Sequence, residues 1–134
     1  MQNELKPGLV CRKEFIVKPI HAAKVVGSGD VDVLSTPSMI AFMESTAMDC
    51  VKNLLGPDMI TVGIKVCVSH KAPVPIGEKV TVEAKLVGVD GRKLTFEVRA
   101  VFKDVVVGEG VHERYMIERS RFLEKVKRLV QQRD

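Results

Sequence analysis

The sequence predicts an α+β fold in which a curved antiparallel sheet wraps around one long helix, with a short helix at the C-terminus. Three observations carry this. A helix-length apolar segment opens at Thr36-Pro37 and stops at Gly56-Pro57. Four alternating segments follow it with no helical segment between them. The pair Asp90-Gly91, set between two of those segments, is a strong hairpin signal and makes them antiparallel neighbours.

Taken in order, residues 10 to 17 alternate loosely and read as a first strand, and 21 to 35, rich in Gly, Val and Asp, as a loop. Thr36 is a good N-cap, and Pro37 suits the first helical position because the donor it lacks would be unpaired there. The helix is expected to run to about residue 55. Strands are expected over 60–72, 78–87, 92–102 and 105–117, broken at 72–77, at Asp90-Gly91 and at Lys103-Asp104. Phe122, Val126, Leu129 and Val130 then line one face of a short basic helix. A long apolar helix must be buried by something, and one curved antiparallel sheet does so economically; this is the hotdog architecture. Residues 1–134 make one such domain. Its sheet leaves an edge strand and an apolar face unsatisfied, so a homodimer is expected.

Composition narrows the function. Apolar residues at 46% and charged residues at 28% describe an ordinary globular chain. No stretch approaches the ~18 uncharged apolar residues of a membrane helix. Residues 1–8 lack the apolar core of a secretory signal, so no membrane association and a cytoplasmic setting are expected. Cys11, Cys50 and Cys67 are odd in number and widely spaced, which argues for reduced thiols and against a disulfide framework. His21, His70 and His112 have no ligand spacing, so no metal is expected. The net charge of +4 gathers near the C-terminus, at Arg119, Arg121, Lys125, Lys127, Arg128 and Arg133. With five Phe and one Tyr, none in a basic stacking cluster, this reads as a solvated helix face; no nucleic acid is expected.

One residue conflicts with its surroundings. On a helical wheel, Glu44 falls among Ile40, Met43, Ala47, Val51, Leu54 and Leu55, opposite Ser38, Ser45, Asp49, Lys52 and Asn53. Burying a carboxylate there costs several kcal/mol unless it is paired or protonated. Glu44 therefore either bonds across a backbone gap or subunit interface, or is a carboxylate tuned for chemistry. Strict alternation puts Val62, Ile64, Val66, Val68 and His70 on one face, so His70 continues an apolar stripe and is the natural partner for Glu44. Cys67 lies on the opposite face, which disfavours a Cys–His nucleophile pair. Thr36 either caps the helix or serves an oxyanion or a carboxylate at its positive end.

Thr36 with Glu44 eight residues on, Val66-Cys67-Val68-Ser69-His70 and Gly110-Val111-His112-Glu113-Arg114 together resemble the fluoroacetyl-CoA thioesterase-like branch of hotdog proteins. The resemblance spans residues 10 to 127. It implies an acyl-CoA thioesterase that hydrolyses a short acyl group and needs no cofactor besides its coenzyme A thioester substrate. It also implies a catalytic trio of Thr36, Glu44 and His70, a Gly63 amide near the thioester carbonyl, and a substrate-contacting Arg114 near the pocket mouth. Two departures point away from fluoroacetyl-CoA itself. The segment between His21 and Thr36 is shorter and carries no aromatic residue, and Pro37 stands where the family has Gly. Two other readings share the fold. An enoyl-thioester hydratase or dehydratase would carry its acid and His in a local motif, absent here. A non-catalytic acyl-CoA-binding protein would tolerate loss of Glu44 or Thr36.

Overall fold

The structure, a computed structural model, describes residues 4–131. Arg133 and Met1–Asn3, which entered the reading of charge and of the N-terminus, lie outside them. The elements are β1 (Val10–Ile16), a 3₁₀ turn (Pro19–His21), α1 (Ala23–Val26), α2 (Thr36–Lys52), β2 (Met59–His70), β3 (Lys79–Asp90), β4 (Lys93–Phe102), β5 (Val105–Glu118) and α3 (Arg119–Gln131). The five strands form one antiparallel sheet in the order β1-β3-β4-β5-β2, which places β1 and β2 at its edges.

Helix α2 lies across the concave face. Met39, Phe42, Met43, Ala47 and Val51 are buried against alternate residues of the central strands: Val80, Val82, Ala84 and Leu86 on β3, and Leu94, Phe96, Val98 and Ala100 on β4. Each large apolar side chain among them contributes roughly 1.5–3 kcal/mol by leaving water. The buried stripe is thus centred on Met39, Met43 and Thr46, rotated from the face read off the sequence. Glu44 stands at its margin with its side chain 41% exposed, instead of in its middle.

Four other expectations are corrected. Helix α2 ends at Lys52, because Asn53 takes over as C-cap and the following turn leaves the helical path. The segment read as a loop contains one short helix, α1, and begins at the last residue of the 3₁₀ turn. It is pinned at its end by Leu34 N–H to the Val74 carbonyl (2.9 Å) and Ser35 N–H to the His21 carbonyl (2.8 Å). The β2 alternation is interrupted by a bulge between Gly63 and Lys65, so Ile64 is half exposed and Thr61 and Gly63 change faces relative to the rest of the strand. Finally, Cys11 and Cys50 form a disulfide (S–S 2.10 Å), against the expectation of reduced thiols. Their 39-residue separation is a tertiary contact between β1 and the last turns of α2, which no local spacing announces. Cys67 remains free and exposed on the outer face.

Helix α3 has no buried residue: Phe122, Leu123, Val126, Leu129 and Val130 are all more than a third exposed. No helix among the described residues is long and apolar enough to cross a membrane.

The disulfide has a measurable consequence. Closing a loop of that length restricts the unfolded chain by about 3–4 kcal/mol. Reduction, or Cys50→Ser, is therefore expected to lower the unfolding free energy measured in urea by that order. Thiol titration of the unreduced, denatured chain should find Cys67 alone.

Candidate active site

Two clusters of the expected residues form on the concave side, both built on α2 and β2. The first lies at the helix N-terminus. Ser35, almost fully buried, is the N-cap, and its hydroxyl accepts from the Ser38 N–H at 3.1 Å. Thr36 is therefore released from the capping role that the sequence offered it. Its Oγ1 lies 2.7 Å from Nδ1 of His70, the last residue of β2. The opposite ring nitrogen, Nε2, is buried and has no hydrogen-bond partner among the described residues. Burial pushes the His70 pKa below its ordinary 6.5, opposed by the nearby Ala72 backbone. The pair lines a groove of about 360 Å³ whose other wall is the 23–35 segment, including Ala23, Gly29 and Leu34.

The second cluster sits two helical turns further on, about 12 Å along α2. Glu44 Oε2 is 4.0 Å from Arg114 Nη1. Arg114 is nearly fully buried, which rules out a surface strand arginine. Its Nε donates to Thr61 Oγ1 (2.8 Å), its Nη2 to the Thr61 carbonyl (3.0 Å) and its Nη1 to His112 Nε2 (3.1 Å). Gly63 faces this group closely. A Cβ there would stand 2.6 Å from Glu44 Oε2 and 3.3 Å from the His112 ring, so any side chain would drive the carboxylate away.

His112 is fully buried, and nothing in the sequence reading gave it a role, although it shares the Arg114 strand face two residues away. Its Nδ1 lies 2.8 Å from the Lys65 carbonyl. A carbonyl only accepts and a guanidinium only donates, so the proton sits on Nδ1 and Nε2 accepts. Burial, then the backbone bond to Lys65, then the Arg114 charge act on this ring, and the net effect lowers its pKa. Burial likewise lowers that of Arg114, opposed by Glu44.

The expected trio is thus divided within one chain. Thr36 meets His70, Glu44 meets Gly63 and Arg114, and no hydrogen bond joins Glu44 to His70, contrary to the pairing drawn from the sequence. A larger groove, about 620 Å³, lies elsewhere, between α3 and the ends of β4 and β5, lined by Arg92, Phe122 and Lys125 among others; no expected site residue borders it. No group of three or more His, Cys, Asp or Glu among the described residues could hold a metal ion.

The profile of the fluoroacetyl-CoA-specific thioesterase family matches residues 17–120. The chain belongs to that family. The fluoroacetyl-CoA thioesterase of Streptantibioticus cattleyicolor is 35% identical over 96 residues, covering 72% of this chain and 69% of that protein. A crystal structure of a point mutant of the fluoroacetyl-CoA-specific thioesterase superposes with a TM-score of 0.88 at 28% identity, covering 95% of this chain and 98% of that one. A thioesterase-superfamily protein of Thermus thermophilus superposes equally well, at 0.88, with 21% identity over 97% and 96% of the two chains, and bears on the hotdog fold alone.

Both lowered imidazoles can be tested directly. His70 and His112 ring resonances should titrate with midpoints below 6.5. The unfolded chain takes up these protons first as pH falls. Stability from this source is therefore complete above pH 6.5 and drains below it, until the folded rings also titrate. Denaturation curves measured between about pH 7 and 5 check the sign.

Proposed function

We propose that this protein hydrolyses short-chain acyl-CoA thioesters to the free acid and coenzyme A, with Thr36, Glu44 and His70 as the catalytic residues and Gly63 and Arg114 as binding residues. The observation that carries the reading is the unpartnered Nε2 of His70, on the same sheet face as Gly63, Glu44 and Arg114. A thioester carbonyl needs a nucleophile, a proton carrier and an oxyanion donor, and these groups supply each. His112 has both ring nitrogens committed, which leaves His70 as the proton carrier.

In the route we favour, the Glu44 carboxylate attacks the thioester carbon beside the Gly63 amide. The C–S bond breaks, coenzyme A departs as its thiolate, and an acyl-glutamyl anhydride remains. Neutral His70 then takes a proton from a water that attacks the Glu44 carbonyl of the anhydride; the acyl group leaves as the acid, the Glu44 carboxylate is restored, and His70 passes its proton to the thiolate. The chemistry requires no metal or other cofactor.

A homodimer completes this arrangement. β2 is a 12-residue edge strand with Ile64 half exposed, an edge that proteins seldom leave bare. Antiparallel pairing of two such edges across a two-fold axis runs the Gly63 end of one copy toward the His70 end of the other. Each Thr36–His70 pair then gains a Glu44 from the second copy. The cytoplasm, where coenzyme A thioesters are made and used, is the expected setting; there the Cys11–Cys50 bridge would face a reducing thiol pool.

The test is thiol release from a panel running from acetyl- to hexanoyl-CoA, with fluoroacetyl-CoA included. Glu44→Gln should lower kcat/KM on the order of 10²-fold or more. Wild type that binds these thioesters but turns over none of them would make it a binding protein instead. Single turnover in ¹⁸O-water should place label in the Glu44 carboxylate, and its consistent absence there would leave water activated by His70 as the route.

A further inference from the structure

His112 stands between two parts of the site and touches both. Its Nδ1–H donates to the Lys65 carbonyl, immediately after the bulge that turns Gly63 toward Glu44. Its Nε2 accepts from Arg114 Nη1, the atom that lies 4.0 Å from Glu44 Oε2. Thr61 holds the remaining edge of the guanidinium through Nε and Nη2. Arg114 is therefore gripped on two sides, and its Nη1 is left facing the carboxylate. A buried arginine gripped by Thr61 alone could swing about that contact.

We propose that His112 is a positioning residue, which fixes the β2 bulge through Nδ1 and aims Arg114 at Glu44 through Nε2, so that Gly63, Arg114 and Glu44 keep one mutual geometry. This rests on the thioesterase reading above. The role requires a neutral ring with its proton on Nδ1. Protonation would set an Nε2–H against the guanidinium, two donors facing each other, and release Arg114. The groups facing the ring are Arg114 and Glu113 from its own strand, Glu44 from α2, the Lys65 carbonyl from β2, and the Phe96 ring on β4 at 6.4 Å between centroids. Burial, with the Arg114 charge, outweighs the Lys65 bond and the two carboxylates, so the ring's pKa lies below its ordinary value and the neutral form is favoured.

The experiment compares kcat/KM of His112→Phe, His112→Asn and His112→Gln with wild type on whichever acyl-CoA wild type turns over best. Phe keeps the bulk and removes both hydrogen bonds. Asn keeps a donor for Lys65, and Gln keeps an acceptor for Arg114. Loss of a hydrogen bond to a charged group predicts a drop of about 10- to 100-fold for Phe, most of it restored by Gln and less by Asn. In a double-mutant cycle, His112→Phe should cost far less in an Arg114→Lys background than alone, because the residue acts through Arg114. The acid limb of log kcat/KM should be steeper by about one proton in wild type than in His112→Gln, because protonating His112 releases Arg114. If His112→Phe does not fold, the Gln variant, the cycle built on Gln and the two slopes decide. Full kcat/KM in folded His112→Phe, additive effects in the cycle, or an unchanged slope in His112→Gln would each overturn the proposal. Inactive wild type would instead strike at the thioesterase reading, while ring titration of His112 in the unliganded protein still reports the lock.

Discussion

Seven positions separate Gly63 from His70, an odd number, and in a regular strand they would point to opposite faces of the sheet. The bulge between Gly63 and Lys65 supplies the missing residue. Upstream of it Thr61 and Gly63 face α2; downstream Val66, Val68 and His70 do, opposite His112, Gly110 and Gly108 of β5. The arrangement of the site depends on this irregularity. It brings the Arg114 anchor, the glycine that admits Glu44, and the histidine that meets Thr36 to the same side of the same strand.

The long helix, the succession of strand segments along the chain and the hairpin at Asp90-Gly91 were legible because each has a local cause: a cap and a stop, a two-residue period, a turn that needs positive φ at Gly91. What was not legible is tertiary. Alternation alone sets Val62 and Ile64 with His70 and passes over Gly63, the one residue in that stretch whose type hints at a bulge. Thr36 and Ser35 are both competent caps, and the choice of Ser35 is made by burial of that residue. Glu44 stands out in the sequence as a misplaced carboxylate, and periodicity offers His70 as its partner. The charge actually beside it is Arg114, remote along the chain and brought near by β2–β5 pairing and the packing of α2 on the sheet. The Cys11–Cys50 bridge is hidden from the sequence for the same reason.

The three histidines show how environment divides one residue type into different tasks. His21 accepts from the Lys18 N–H and packs edge-on against Phe42, a local structural use. His112 has both nitrogens occupied by groups that fix its tautomer. His70 alone combines a hydroxyl neighbour with a buried, unpartnered nitrogen. Burial lowers the pKa of all three, so the shift by itself does not discriminate among them. Hydrogen-bond accounting does.

Within α3, five Lys or Arg stand against one Glu, an excess equal to the formal charge of +4 of the whole chain. Electrically the protein is a neutral body carrying a cationic handle at one end of its sheet. Any polyanion approaching it would feel a torque before contact and arrive with its negative end turned toward that handle, an orientation that fades as salt shortens the Debye length below the size of the molecule.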